Sequence, residues 1–162
     1  MKKAKQPVVA IVMGSRSDLP EMEGCVKALR DFGVGYELKV LSAHRSPEAV
    51  ASFAKSVVDR GPKVIIAGAG GAAHLAGAIA SHTILPVIGV PIRTKVFKGI
   101  DSYLSTLQMP GGVPVATMAI GKAGAKNAAI LALEILGTSD PKVQKKLEIY
   151  KKSLTSSVRK KS

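Results

Sequence analysis

The chain has 162 residues, 46% of them hydrophobic, which suffices for one globular core and excludes a disordered chain; no apolar run approaches the ~20 residues that span a bilayer. The net charge of +13 suggests a nucleic-acid partner, but its distribution argues otherwise: residues 1–5 hold three lysines, residues 141–162 hold eight Lys/Arg and one Glu, and only +3 remains for residues 6–140. With no Trp and three each of Phe and Tyr, there is little for bases to stack on, so solvated basic tails are expected rather than a specific nucleic-acid site.

The elements follow in order. Val8–Met13 is a β-branched run, the pattern of a strand buried on both faces, and it is too short for the core of a signal peptide. It ends in Gly14-Ser15-Arg16-Ser17-Asp18, after which Met22, Val26, Leu29 and Phe32 mark a helix over 19–32, stopped by Gly33. Cys25 falls inside that pattern as a small buried side chain. It is the one cysteine, so no intrachain disulfide forms. A second strand is predicted over 36–41, a second helix over 47–60 and a third strand over 64–67. The third strand opens into Gly68-Ala69-Gly70-Gly71-Ala72-Ala73-His74-Leu75-Ala76-Gly77 and a small-residue helix reaching Ser81. A strand over 86–90, a short helix over 99–107, a strand over 113–118 and an Ala-rich helix over 123–136 come next. Strand and helix alternate with short connections, which predicts a parallel sheet with helices on both faces. The expected fold is a three-layer α/β/α sandwich, flavodoxin- or Rossmann-like. The whole of 1–162 reads as a single catalytic domain, with 1–6 a basic tail and 141–162 a last helix and basic tail. Val143, Leu147, Tyr150 and Leu154 form an apolar stripe on that helix, which covers either its own domain or a neighbouring subunit.

The candidate chemistry sits in the loops after the strands. Ser42-Ala43-His44-Arg45 follows the second strand, at the end where open parallel sheets bind ligands. It sets a proton-transfer group, His44, beside a planar cation suited to phosphate, Arg45. In the first turn Ser15 and Ser17 offer hydroxyls and free N–H groups to an anion at a helix start. Asp18 has two readings that stand side by side: an N-cap whose capping box is closed by Glu21, or an acceptor for a ribose hydroxyl. Gly68–Ala73 matches G-x-G-x-x-A but occurs in the third βα unit, and no acid follows the next strand, so NAD or FAD binding is not expected. His74, one turn into its helix, reads on its own as structural, and His82 as a helix-end or surface group. The Gly/Pro-rich loop 108–114 is rigid and lies opposite the site, over it, or in a subunit contact.

Taken together, these segments resemble the PurE family of purine biosynthesis. The matching pieces are Val12–Asp18, Ser42–Pro47, Ala67–Leu75, Pro86–Pro91, Gln108–Thr117 and the helix near Asn127-Ala128-Ala129, in order from about residue 8 to 137. Ser-Ala-His-Arg together with Gly-Gly-Ala-Ala-His-Leu resembles class I, the mutases; the carboxylase class usually carries Lys after the histidine. Ala76 departs from the family's Pro but removes no functional group. The resemblance implies an isomerase of IMP biosynthesis acting on N5-carboxyaminoimidazole ribonucleotide, cytoplasmic, without cofactor or metal, and assembled as a homo-octamer. Carried over position by position, it implies His44 as the acid/base. Ser15, Ser17, Asp18 and Arg45 would hold the ribose phosphate, and Ser42, Ala43, Gly70, Gly71, His74 and Leu75 would line the pocket around the imidazole and carboxylate. The alternatives are a carboxylase that uses free CO2 and 5-aminoimidazole ribonucleotide, and a non-catalytic nucleotide-binding module. The latter would explain the phosphate turns but not the His-Arg pair.

Overall fold

A computed structural model describes residues 6–159; residues 1–5 and 160–162, the outermost parts of the expected basic tails, lie outside the described residues. Five parallel strands, β1 (Val9–Met13), β2 (Tyr36–Val40), β3 (Val64–Gly70), β4 (Val87–Ile92) and β5 (Ala116–Thr117), form one sheet in the order β2-β1-β3-β4-β5. This is the flavodoxin-like order, with its switch point between β1 and β3. The helices are α1 (Leu19–Asp31), α2 (Pro47–Ser56), α3 (Leu75–Ala80), α4 (Ile100–Leu107), α5 (Lys122–Gly137) and α6 (Pro141–Arg159).

Strand alternation sorts the side chains into two cores. Val9, Ile11, Met13, Val64, Ile66, Ile88 and Val90 face α1, α5 and α6, where they meet Met22, Cys25, Leu29, Ala125, Ala129 and Leu133. Ala10, Val12, Ile65, Ala67 and Val87 face the other way, against Val50, Phe53 and Ala54 of α2 and Leu75, Ala76 and Ile79 of α3. The central strands are therefore apolar on both sides, whereas edge strand β2 alternates less strictly and leaves Leu38 and Val40 exposed.

Several boundaries differ from the sequence expectation, each for a local reason. The fifth strand shrinks to Ala116–Thr117 because Pro114 has no N–H to give; Met118 N still donates to Gly89 O. The second helix ends at Ser56 rather than at residue 60, and the chain turns into Gly61, whose φ of +112° is glycine's own region. The last helix runs on to Arg159. Its stripe is divided. Val143 and Leu147 are buried in the α1/α5 core, and Tyr150 meets the Phe32 ring edge-on at 5.6 Å. Leu154 stays exposed. Lys146 Nζ donates to Phe32 O, tying α6 to the end of α1. Cys25 is wholly buried, and that burial pushes its thiol up to about 12.

Candidate active site

The loops after β1, β2 and β3 meet in one cleft of about 460 Å³ at the C-terminal edge of the sheet. Ser15, Ser17, Asp18, Ser42, Ala43, His44, Arg45, Gly70 and Leu75 line it, together with Gly14, Ala69 and Ala72. Gly71 and His74 do not: Gly71 turns behind the cleft, and His74 borders a neighbouring hollow with Gly77, Ala78, Leu104 and Met109. His82 is exposed beyond the end of α3, away from the cleft.

The first turn is a closed hydrogen-bonded unit. Ser15 caps a short 3-10 helix, Arg16–Asp18. Its Oγ accepts from Ser17 N, and Asp18 Oδ2 accepts from Ser15 N at 3.1 Å, a complete capping box. The box expected from Asp18 and Glu21 is absent, and Asp18 makes no side-chain cap on α1. Asp18 itself has helical backbone angles, φ −82° and ψ −13°, rather than the extended ones of a capping residue, and its carboxylate is taken up by Ser15 N. Asp18 is thus held by its own turn while its carboxylate borders the cleft. Burial raises its pKa above the usual 3.8. The Ser15 N–H, the Ser17 hydroxyl and the charge of Arg45 act in the opposite sense but do not prevail.

The second loop folds onto its own serines. Ser42 Oγ accepts from Arg45 N at 3.2 Å and, weakly, from Arg45 Nε at 3.5 Å, while Ser46 Oγ donates to Ser42 O. Arg45 Nη2 reaches back to Gly14 O at 3.3 Å. The guanidinium is thus stretched between the first two loops, with N–H groups left over for an anion. Pro47 starts α2 as expected, fixing where this loop ends.

The third loop is pinned from behind by α4, a support with no motif to announce it. Ser102 Oγ is fully buried; it donates to Ile92 O at 2.6 Å and accepts from Gly71 N at 2.9 Å. The Ser105 and Thr106 hydroxyls donate within α4, to Asp101 O at 2.6 Å and Ser102 O at 2.8 Å, and lie only at 3.3 and 3.4 Å from Gly71 O and Ala73 O. Gly71 has φ +69°, which a side chain would strain. Residues 71–74 form a turn rather than helix, closed by Ala73 N to Gly71 O and His74 N to Ala72 O. His74 therefore sits at the N-cap of α3, not one turn inside it as expected. That shift brings its Nδ1 to 2.9 Å from Nε2 of His44, with the two rings edge to face. The loop 108–114 is divided. Met109 packs over Gly77 beside His74, while Gly112 and Pro114 lie near Leu85 and Val87 at the other end of the sheet.

The cleft therefore combines a guanidinium with donors to spare, a carboxylate acceptor and an imidazole, groups able to meet an anion, accept from a hydroxyl and move a proton. Among the described residues, no group of three or more His, Cys, Asp or Glu side chains is placed to hold a metal ion.

The family model for AIR carboxylase matches residues 8–157. The chain is 54% identical over 160 residues to the N5-carboxyaminoimidazole ribonucleotide mutase of Pyrococcus horikoshii, covering 99% of this chain and 89% of that protein. It is also 54% identical over 150 residues to the protein of the same name from Vibrio parahaemolyticus, covering 93% of each. The fold superposes on the crystal structure of Treponema denticola PurE with a TM-score of 0.85 at 33% identity, covering 95% of each chain.

Proposed function

The chain belongs to the AIR carboxylase family, and from that membership we propose that it is an isomerase converting N5-carboxyaminoimidazole ribonucleotide to 4-carboxy-5-aminoimidazole ribonucleotide in purine biosynthesis. The observation that carries this reading is the convergence of Ser15, Asp18, His44 and Arg45 on one cleft, in a chain that matches proteins named for this mutase along almost all its length.

The residues divide the work by their chemistry. Arg45 and the Ser15–Ser17 turn take the phosphate, and Asp18 accepts a ribose hydroxyl. Ser42, Ala43, Gly70 and Leu75 enclose the imidazole and the migrating carboxylate, with Gly71 shaping the turn behind them. In the first step the exocyclic N–C bond breaks, its electron pair returns to nitrogen, and that nitrogen takes a proton from the His44 imidazolium. The CO2 set free stays in the cleft. Ring carbon 4 attacks it, a C–C bond forms, and the proton on carbon 4 passes to His44. The sum is redox-neutral and returns His44 to its starting state, so the reaction asks for no cofactor. A positioned acid/base supplies roughly 10²–10⁴ in rate, and retention of CO2 beside carbon 4 adds a proximity contribution.

The proposal treats residues 1–162 as one catalytic unit, cytoplasmic and assembled as a homo-octamer. Self-association is supported by a band of exposed apolar side chains, Val96, Phe97, Ile100, Leu104 and Leu107, along α4 and the segment before it. No helix among the described residues is long and apolar enough to cross a membrane.

The test is turnover of N5-carboxyaminoimidazole ribonucleotide by the purified protein, with chelator present and ATP absent, against turnover of 5-aminoimidazole ribonucleotide plus bicarbonate. Fast conversion of the first and feeble conversion of the second is the expected result. The reverse preference would assign the carboxylase reaction, and activity on neither would leave a nucleotide-binding module.

A further inference from the structure

His44 has a single side-chain hydrogen-bond partner among the described residues, and it is another histidine: Nε2 of His44 lies 2.9 Å from Nδ1 of His74. Two ring nitrogens at that separation hold one proton between them, because two lone pairs or two N–H groups would repel. His44 lines the cleft and His74 does not. The two nitrogens of an imidazole diverge, so engaging Nε2 with His74 leaves Nδ1 as the nitrogen free for substrate. We propose that His74 is a positioning residue that holds the proton of His44 on Nε2 and makes Nδ1 the working nitrogen. The proposal rests on the mutase reading above.

The proton count favours this direction over the reverse. The reaction starts from a His44 imidazolium, with N–H on both nitrogens. Its Nε2–H needs an acceptor, and the lone pair of His74 Nδ1 is in place to be one, which leaves the proton of neutral His74 on its own Nε2. When Nδ1–H of His44 is given to the exocyclic nitrogen, Nε2–H stays bonded to His74. The bare Nδ1 is then the nitrogen left to take the proton from carbon 4. Fixing the idle nitrogen in this way sets the tautomer of the other. It also holds the ring through both proton transfers, which must share one geometry. His74 can do this because its place at the head of α3 is itself fixed: its N–H donates to Ala72 O, and its carbonyl accepts from Ala78 N.

Two measurements test the assignment. In 15N-labelled protein, NMR of the imidazole nitrogens is expected to show His44 protonated on Nε2, His74 unprotonated on Nδ1, and a scalar coupling across the N–H···N bond. A proton on His74 Nδ1 with His44 Nε2 bare would overturn the proposal. In steady-state kinetics, His74→Leu should lower kcat roughly ten- to hundredfold, a part of the ~10²–10⁴ that an acid/base supplies, with KM within about twofold. His74→Asn, whose carbonyl oxygen can accept the same bond, should recover most of that loss. A rise in KM instead would make His74 a substrate contact. Equal kcat values for the two variants would mean that the accepted bond is immaterial, and either result refutes the positioning role. The NMR readout does not depend on turnover, so absence of mutase activity in the parent protein would overturn the functional reading separately.

Discussion

His44 and Arg45 are neighbours in the chain with different proposed work, and kinetics can separate them. His44→Asn keeps a polar group, a smaller amide, but cannot exchange a proton, so it should fold, bind nucleotide and lose about 10²-fold or more of kcat. Arg45→Ala removes the cation that spans Gly14 O and Ser42 Oγ, and should raise KM while changing kcat less. A near-normal rate for the first, or an unchanged KM with altered kcat for the second, would contradict these roles. Asp18 makes a third, pH-dependent case. Burial raises its carboxyl above the usual 3.8, so the folded protein holds that proton more tightly than the unfolded chain does. The corresponding stability is fully present below pH 3.8 and is lost as pH rises through the raised folded value; at neutral pH the ionised group is a cost to folding. Asp18→Asn keeps an acceptor for Ser15 N and removes the charge. It should raise the thermal midpoint at pH 7, by a few °C at most, with the difference closing near pH 3, while substrate affinity falls. A lower midpoint at pH 7 would mean that the Ser15 and Ser17 bonds and Arg45 outweigh burial. At this scale much of the site was legible in the sequence, because Ser-Ala-His-Arg and the Ser15–Asp18 turn are contiguous and carry their chemistry locally. Contact between His44 and His74 was not legible. It depends on where α3 begins, and a run of Gly and Ala leaves that boundary to tertiary hydrogen bonds.

Those tertiary bonds come mostly from α4. Ser102 is the key to them: its buried hydroxyl links the end of β4, at Ile92 O, to the glycine turn, at Gly71 N. Ser102→Ala would leave both groups without their partner, at a cost of about 1–3 kcal/mol per unsatisfied buried group. It should lower the thermal midpoint and also depress kcat, because the turn it releases carries Gly70 and His74. Loss of stability with unaltered kcat would show that the turn holds without it. Nothing in the sequence marked Ser102, since a serine in a short amphipathic helix is ordinarily a solvated residue, and its partner lies 31 positions away. The elements themselves were read well wherever a buried parallel strand writes a continuous apolar run, as in β1, β3 and β4. They were read less well at edges. Pro114 cut the fifth strand to two residues, and the helix stripe at 141–154 gave no sign that Leu154 would remain uncovered while Val143 and Leu147 joined the core.

At the scale of the whole molecule, the two sides of α4 would connect the candidate site to the proposed assembly. One side carries Ser102, which holds the glycine turn, and the other shows Ile100, Leu104 and Leu107 to solvent beside Val96 and Phe97. Exposed apolar surface of this kind marks an association site. Phe97 is 63% exposed and Leu104 50% exposed, so neither contributes much to the core, and a charge at either position should be tolerated by the isolated fold. Phe97→Glu combined with Leu104→Glu is therefore expected to leave the circular dichroism spectrum unchanged while the mass from light scattering drops below that of the parent assembly. Activity should fall with the mass, because α4 would lose the packing on one side that steadies its hydroxyls on the other. An unchanged mass would place the subunit contact elsewhere. A reduced mass with full kcat would mean that each site is complete within one chain, and that Ser102 holds the turn without that packing.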